Sequence, residues 1–237
     1  MANTTVPAEL INTATPLGRR NILINGDFGI YQRAQQVTDI GATASEYYTA
    51  DRWLLEPQNT SGRLTMTAGT ADAPPESNVT TSLKLDCTTA DTSIAANEYM
   101  VLGQKLEGFD VQQFKKGTSG AKQFTLSFWV KGNASVNYVA ELFDHDNSRQ
   151  ISKTFAVTSS WSKVEITYPA DTTGAFGNDA NNSLSLFIWL VAGSSYSGGT
   201  LNSSAWAGAV AANRAAGADN FFSSTSNELY ITAVQLE

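Results

Sequence analysis

Two neighbouring runs of the chain alternate apolar and polar residues with a period of two, and this pattern constrains the fold most. The apolar residues that share one face of each run are Phe124, Leu126, Phe128 and Val130, then Val136, Tyr138, Ala140 and Leu142. A β-strand with one buried face requires this alternation, because successive side chains point to opposite sides of a sheet. The turn-forming residues Asp144–Asn147 follow the second run and end it as a hairpin turn would.

Further short runs of the same kind recur along the chain, with turn residues between them. They cover residues 52–56, 63–67, 82–87, 98–106, 150–157, 161–168, 183–191 and 228–236. Such regular spacing predicts an all-β fold, an antiparallel β-sandwich of the jelly-roll kind. We also predict a first strand at residues 21–24, closed by the turn Asn25-Gly26, and a second extended run at residues 28–32.

One short helix is predicted near residues 110–116. Asp110 supplies an acceptor at the helix start, lysines fill the last turn and Gly117 follows them, as is usual for a capped helix. Residues 205–216 are rich in alanine. Because Gly208 disfavours a helix there, a long ordered loop is an equal alternative.

These patterns divide the chain into an N-terminal arm and one folded domain. Residues 1–20 contain Pro7 and Pro16 and show no sustained period, which predicts an extended N-terminal docking arm. Residues 21–237 then form a single jelly-roll β-sandwich domain, a size at which all-β sandwiches often remain undivided. No internal repeat or linker divides this part of the chain.

Composition and charge exclude several classes of function. The net charge of −7 provides no basic field for nucleic acid. The longest apolar stretch, Leu186–Val191, has the length of a strand, so we expect no membrane insertion. Cys87 is the only cysteine, which prevents a disulfide within the chain and favours a buried small side chain. The N-terminus lacks the pattern of a secretion signal, so we expect synthesis in a cytosol.

The residues of catalytic and metal sites are scarce. His145 is the only histidine, and it lies in a predicted turn, far in sequence from Cys87, which favours an exposed turn residue over a catalytic base. Asp144, Asp146 and Asn147 offer oxygen ligands, but the pattern of an EF-hand calcium loop fails at the next residues. No phosphate loop, nucleophile elbow or distinct carboxylate pair is present. We therefore predict a non-enzymatic protein without catalytic residue, cofactor or metal.

Four aromatic residues in predicted loops are the candidate contact residues for a glycan or a partner protein. They are Tyr47, Tyr48, Tyr196 and Trp206. Aromatic ring faces pack against other rings and supply contact area in binding sites. Packing within a loop or against a neighbouring subunit is the favoured interpretation of these four residues, and glycan binding is the alternative.

The remaining tryptophans are assigned to the sandwich itself. Trp129 and Trp189 lie inside strong strand patterns and are predicted in the core or at its edge. Trp53 and Trp161 stand beside charged residues, and each is expected to cap one end of the sandwich.

Five parts of the chain carry motifs whose order spans nearly its whole length. They are Asn21–Phe28 followed by Gln32-Arg33, Tyr48–Trp53, Phe124–Lys131, Trp161 with Asp171–Gly174, and Leu229–Glu237. In these motifs the chain resembles a family of bacteriophage virion structural and tail-fibre-like proteins. The resemblance implies a jelly-roll domain like that of carbohydrate-binding modules, in a protein that belongs to a phage particle.

The resemblance also implies how the two ends of the domain are arranged. It places the strands near residues 21–24 and 228–236 close together. Related sugar-binding modules often hold a structural calcium there, and Asp27 corresponds to one ligand. The closing strand has Thr232 where a carboxylate is commonly found, and this departure argues against the metal.

We therefore expect a phage virion structural protein, made in the host cytoplasm, that acts as capsid decoration or tail-associated adaptor. Its partners would be other virion proteins, bound through the N-terminal arm and the sandwich surface, and the local symmetry of virions favours a homo-oligomer such as a trimer. The chain ends directly after the closing strand, which favours a decoration or adaptor role over a long fibre. The alternative is a tail-fibre module that binds a host-surface glycan. A glycan-cleaving tailspike fragment is a third hypothesis, without sequence support.

Overall fold

The computed structural model describes residues 21–42 and 44–237. These residues form two six-stranded antiparallel sheets. The strands are β1 (Gln36–Ala42), β2 (Leu54–Gln58), β3 (Thr60–Thr70), β4 (Ser82–Thr89), β5 (Tyr99–Glu107), β6 (Phe124–Gly132), β7 (Val136–Asp144), β8 (Arg149–Val157), β9 (Ser162–Tyr168), β10 (Asn182–Ala192), β11 (Ala207–Gly208) and β12 (Glu228–Leu236). Sheet A has the order β1-β3-β4-β12-β6-β9, and sheet B has the order β11-β8-β7-β10-β5-β2. The predicted antiparallel β-sandwich is confirmed.

Helical segments are short and lie in the connections. Helix α1 (Gly108–Val111) continues into the 3-10 turn Gln112–Phe114, so the predicted short helix is confirmed two residues earlier in the chain. The other segments are α2 (Ser194–Ser197) and the 3-10 turns Ala211–Asn213 and Phe221–Ser223. None of the described helices has the length and apolar character that a membrane crossing needs. Of the two alternatives for residues 205–216, the loop is the one observed.

The core lies between the two sheets and follows the predicted alternation. In β6, Phe124, Leu126 and Phe128 are fully buried, whereas Thr125 and Ser127, which alternate with them, are half-buried on the other face. Tyr168 is also fully buried, and its hydroxyl group donates a hydrogen bond to the carbonyl oxygen of Ala140. Cys87 is buried beside this core, as expected, and burial raises the pKa of its thiol to about 11.

The first part of the described chain differs from the prediction. Residues 21–24 and 28–32 form no strand, although the amide of Ile22 donates to the carbonyl oxygen of Leu236 at 3.0 Å. The opening and closing segments are therefore close together, as the resemblance implies. The first strand is β1, which the sequence analysis missed, because two irregularities in its pairing with β3 break the alternation. The predicted N-terminal arm, residues 1–20, lies outside the described residues.

A long connection folds back over the outer face of sheet B. We call residues 193–218 the cover segment. Arg214 of this segment makes a bidentate ion pair with the fully buried Glu141, at 2.9 and 3.0 Å. Trp189 donates a hydrogen bond to the same carboxylate at 2.8 Å, and Tyr196 packs on its ring. The outer face of sheet B is therefore occupied by the protein's own chain.

A second buried charge network fixes the loops after α1 and β9. The ammonium group of Lys116 lies 2.6 Å from Asp144 and 3.1 Å from Asp171, and all three side chains are buried. The carbonyl oxygens of Thr173 and Gly174 also accept from Lys116. Burial acts to raise the pKa of Asp171, but hydrogen bonds, first that from Arg149, hold this pKa below its usual range.

Candidate functional site

The candidate site lies on the outer face of sheet A. In β6 the residues that point away from the core are Thr125, Ser127, Trp129 and Lys131, and all are half-buried. Trp129 pairs with Thr232 of β12 on one side and with Lys163 of β9 on the other. A large indole group therefore lies in the middle of this sheet face, between polar residues of the two neighbouring strands.

A bulge in β12 shapes the surface beside Trp129. The pairing of β12 with β6 shifts between Thr232 and Gln235, and Ala233 adopts a left-handed φ of 52°. The amide of Val234 turns inward and donates to the carbonyl oxygen of Gly26 at 3.0 Å. Gly26 has to be glycine, because a Cβ atom there would lie 2.1 Å from the carbonyl oxygen of Val234. The opening turn thus holds the bulge in place.

A cleft of about 250 Å³ lies next to the bulge. Its lining residues come from β6, β9, β12 and the loop that precedes β4, and they are Glu76, Ser77, Asn78, Val79, Ser127, Phe128, Trp129, Lys163, Ala233 and Gln235. Most of them carry side-chain hydrogen-bond donors or acceptors, and Trp129 supplies the largest apolar surface. An aromatic ring surrounded by hydrogen-bonding groups is typical of sites that bind a polar ligand with apolar ring faces.

A cluster of aromatic and charged residues extends this face. The ammonium group of Lys131 lies 4.6 Å from the ring centre of Tyr230 and 5.3 Å from that of Trp161. Asp72 pairs with Lys131 and accepts a hydrogen bond from the indole of Trp161. Burial acts to raise the pKa of Asp72, but these hydrogen bonds hold this pKa below its usual range. The cluster is therefore internally neutralised and its rings are fixed in position.

A similar balance holds at the neighbouring strand. Lys84 bonds to Glu228 at 2.8 Å and lies 5.6 Å from the ring centre of Tyr230. Burial acts to lower the pKa of Lys84, but the hydrogen bond to Glu228 and the nearby charges raise this pKa above its usual value. The face of sheet A thus presents aromatic rings whose adjacent cations already have carboxylate partners.

The four loop aromatics of the sequence analysis lie in separate places. Tyr47 is 37% exposed. Tyr48 is half-buried and its hydroxyl group donates to the carbonyl oxygen of Ala44. Tyr196 packs in the cover segment, 4.9 Å from the ring centre of Tyr99. Trp206 is buried, with its indole donating to a backbone carbonyl oxygen, so it packs within the protein, which is the favoured interpretation, and it is not open to a ligand.

Of the other tryptophans, Trp189 is buried as predicted, whereas Trp53 and Trp129 differ from the prediction. Trp53 is fully buried against Phe28, and Trp189 is buried beneath the cover segment. Trp129 faces outward rather than into the core. The sequence contained the signal for this orientation, because Trp129 alternates with the buried Phe128 and shares its face with polar residues.

The residues near Asp27 and Thr232 do not fit a calcium site. The hydroxyl group of Thr232 donates to the backbone carbonyl oxygen of Thr81 at 2.6 Å. The hydroxyl group of Thr81 in turn donates to the backbone carbonyl oxygen of Asp27 at 2.8 Å. These hydrogen bonds join the two ends of the domain. Calcium requires six to eight oxygen ligands, usually including several carboxylates. Among residues 21–42 and 44–237, no three histidine, cysteine or acidic side chains are grouped to hold a metal.

The acidic turn at residues 144–147 is likewise engaged in protein contacts. Asp144 pairs with Lys116 and accepts hydrogen bonds from Asn147, whereas Asp146 accepts from the amide of Gly177. His145 is exposed, and its Nε2 atom lies 2.9 Å from the hydroxyl oxygen of Ser185. Its pKa is lowered by partial burial and by the nearby positive charges of Arg214 and Lys105.

Comparison with known proteins shows similarity of fold. No protein-family model and no curated protein sequence matches the chain. A family 4 carbohydrate-binding module is 11% identical with a TM-score of 0.43, and the match covers 90% of this chain and 97% of the module. A family 61 module in complex with β-1,4-galactotriose is 11% identical with a TM-score of 0.40, covering 92% and 99%.

A third similar structure is the family 11 module of the cellulosomal cellulase Lic26A-Cel5E of Clostridium thermocellum. It is 11% identical with a TM-score of 0.39, and the match covers 82% of this chain and 95% of the module. At this level of identity the three matches concern the fold alone. By its own strand order the chain is an all-β, two-sheet jelly roll, and its similarity in structure to carbohydrate-binding modules is distant.

Proposed function

We propose that this protein is a non-catalytic binding module that recognises a glycan through the cleft beside Trp129. The observation that carries the proposal is the half-buried indole ring of Trp129 on the outer face of sheet A, inside a cleft lined mostly by hydrogen-bonding side chains. Sugar rings combine an apolar face with hydroxyl groups at the edge, and this cleft offers partners for both. Of the two functions that the sequence favours, the geometry thus supports glycan recognition better than a purely structural role.

The charges of the cleft favour a neutral glycan. Lys163 lies 2.9 Å from Glu165 and is therefore balanced. Glu76 and Gln235 offer acceptors, and Asn78 offers both donor and acceptor groups. At about 250 Å³ the cleft is smaller than the usual range for drug-sized ligands, so it suits a short saccharide or the end of a chain.

Replacing Trp129 with alanine is expected to weaken glycan binding at least tenfold, because the stacking surface is lost; tenfold in affinity corresponds to about 1.4 kcal/mol. A glycan array identifies a ligand for the wild-type protein, and titration calorimetry compares the variants. The matched control is Thr125→Ala, on the same face of the same strand but outside the cleft. Thermal unfolding of each variant checks that the fold is intact.

The outcomes separate the hypotheses. If a glycan binds and Trp129→Ala binds it as well as Thr125→Ala does, the site is elsewhere. If the wild-type protein binds no glycan on a broad array, the glycan proposal fails and the structural role becomes the leading function.

A second candidate function is a structural role in a phage particle, through contacts with other virion proteins. It is supported by the motif resemblance and by one exposed apolar pair, Ile30 at 54% and Tyr31 at 36% exposure. This pair is held rigidly, because the side chain of Asn25 donates to the carbonyl oxygens of Ile30 and Asp51 at 2.8 and 3.0 Å. Apolar groups fixed in an exposed position are suited to a protein interface.

Co-sedimentation with phage heads and, separately, with tails tests this second role. The intact protein is expected to bind one of them, and Ile30→Ser combined with Tyr31→Ser is expected to lose most of this binding. Val210→Ser is the control, because Val210 is similarly exposed, at 53%, in a different loop. A form without residues 1–20 tests the predicted docking arm in the same assay. Binding of the intact protein to neither heads nor tails would contradict the structural role. A homo-oligomer such as a trimer stays a prediction.

A further inference from the structure

Tyr47 and Arg52 lie between two adjoining depressions on the surface. The first has a volume of about 310 Å³, and its lining residues are Gln32, Arg33, Tyr47, Asp51 and Arg52. The second has a volume of about 190 Å³, and its lining residues are Tyr47, Arg52, Lys105, Leu106, Glu107, Ala180 and Asn182. Because Tyr47 and Arg52 line both depressions, the two adjoin, and we call them together the Tyr47 groove. Its lining residues do not overlap with those of the cleft beside Trp129.

The Tyr47 groove concentrates positive charge on an acidic protein. Its lining residues include Arg33, Arg52 and Lys105 against the two acids Asp51 and Glu107, whereas the whole chain carries a net charge of −7. Asp51 is already engaged, because it lies 3.8 Å from Arg33 and accepts a hydrogen bond from the amide of Gln32. The groove therefore has positive charge available for a ligand.

Of the three cations that line the Tyr47 groove, Arg52 and Lys105 have no partner. Neither forms an ion pair or a side-chain hydrogen bond with any other described residue. By contrast, the cations near Trp129, such as Lys131 and Lys163, are each paired with a carboxylate. Guanidinium and ammonium groups left unpaired beside an aromatic ring match a ligand that carries both an anionic group and a ring.

The backbone holds Arg52 in a conformation that is unusual for a residue other than glycine. Its φ is 71°, in the left-handed region, which costs an L-residue energy that the surrounding structure must supply. The next residue, Trp53, is fully buried, and its indole donates to the carbonyl oxygen of Asn25 at 2.9 Å. The turn is thus anchored to the core, and this anchoring fixes the backbone of Arg52 at the groove.

We propose that the Tyr47 groove binds an acidic saccharide, with its anionic group between Arg52 and Lys105 and a sugar ring against Tyr47. The ligands of this class have in common a carboxylate or sulfate group on a sugar ring. The guanidinium group of Arg52 offers two parallel donors to such a group, and Lys105 adds a second positive charge. This site shares no lining residue with the cleft beside Trp129, so each of the two proposals can be tested independently of the other.

The test uses the full chain and three acidic probes, namely a galacturonate trisaccharide, sialyllactose and a sulfated heparin tetrasaccharide. Binding is measured by titration calorimetry at low and physiological salt. The methyl ester of the galacturonate trisaccharide is the neutral counterpart. We expect at least one acidic probe to bind, with an affinity that falls as salt rises, and the ester to bind at least tenfold more weakly than its acid if the galacturonate is that probe.

The variants are chosen to keep the fold. Arg52→Gly removes the side chain and suits the left-handed backbone, and Lys105→Gln removes the second charge. Each is expected to weaken binding of the acidic probe at least tenfold. Lys122→Gln is the control, an exposed lysine outside the groove. Trp129→Ala is expected to leave this binding unchanged.

Three results would overturn the proposal. The first is that no acidic probe binds. The second is that Arg52→Gly and Lys105→Gln bind the acidic probe as well as Lys122→Gln does. The third is that Trp129→Ala abolishes this binding, which would assign the acidic saccharide to the cleft on sheet A instead.

Discussion

Replacing Lys116 with methionine is expected to lower the free energy of unfolding by about 3–5 kcal/mol, the usual effect of removing one partner from a buried ion pair. The carboxylates of Asp144 and Asp171 would lose their shared cation while both stay buried. Two backbone carbonyl oxygens would also lose their donor. Methionine keeps most of the apolar volume of the lysine side chain, so the effect isolates the charge.

Urea unfolding at neutral pH measures this loss, and Lys115→Met provides the matched control. Lys115 precedes Lys116 directly but is exposed, so its replacement is expected to change stability by less than about 0.5 kcal/mol. The double variant Lys116→Met with Asp144→Asn is expected to recover part of the loss, because it removes the charge of Asp144, whereas Asp171 keeps its ion pair with Arg149. A loss below about 1 kcal/mol for Lys116→Met alone, on the scale of exposed ion pairs, would show that this network contributes little.

Replacing Arg214 with alanine is the second change with a large expected effect. Glu141 would then lie fully buried without a cation, and it would be protonated in the folded state. Burial already raises the pKa of Glu141 above its ordinary value of 4.5. Keeping the carboxyl group protonated at pH 7, about 2.5 units above that value, costs about 3 kcal/mol at 1.36 kcal/mol per unit.

The way in which the stability loss of Arg214→Ala changes with pH shows whether the buried carboxyl group of Glu141 causes it. In the Arg214→Ala variant the folded state binds a proton that the unfolded state has released, so the loss of stability grows as the pH rises above 4.5. Urea unfolding is therefore expected to show a much smaller loss at pH 5 than at pH 7. The double variant Arg214→Ala with Glu141→Gln is the control, because it has no acid to titrate. An equal loss at both pH values would mean that Arg214 acts through its packing on Trp189 and Phe143, rather than through its charge.

The sequence predicts most of the sandwich, because its strands repeat a local pattern. The observed bounds of β7 and β12 differ from the predicted runs by at most one residue, since Val136 and Glu228 each follow a turn and begin a clear alternation. The pattern fails for β1, where pairing irregularities shift the side chains. It also fails for residues 21–24, which are held by hydrogen bonds to the distant residues Gln104 and Leu236. Non-local contacts of this kind leave no local period.

The candidate site was only partly predictable. The alternation in β6 already places Trp129 on the polar face, but the cleft also needs the bulge at Ala233 and the loop at residues 76–79. Both are brought there by pairing between distant parts of the chain. The burial of Trp206 depends on the same kind of distant contact, because its loop folds back against the sandwich.

The position of β12 in sheet A affects how the protein is made in the cell. This strand lies between β4 and β6, yet it is the last of the described strands to leave the ribosome. Until residue 236 emerges, a nascent chain can form only two separate parts of sheet A, namely β1-β3-β4 and β6-β9. In each part the strand that later pairs with β12 (β4 or β6) has an unpaired edge. Such edges recruit other chains, so the time between the synthesis of β6 and the release of β12 is the period in which we expect the protein to depend most on chaperones.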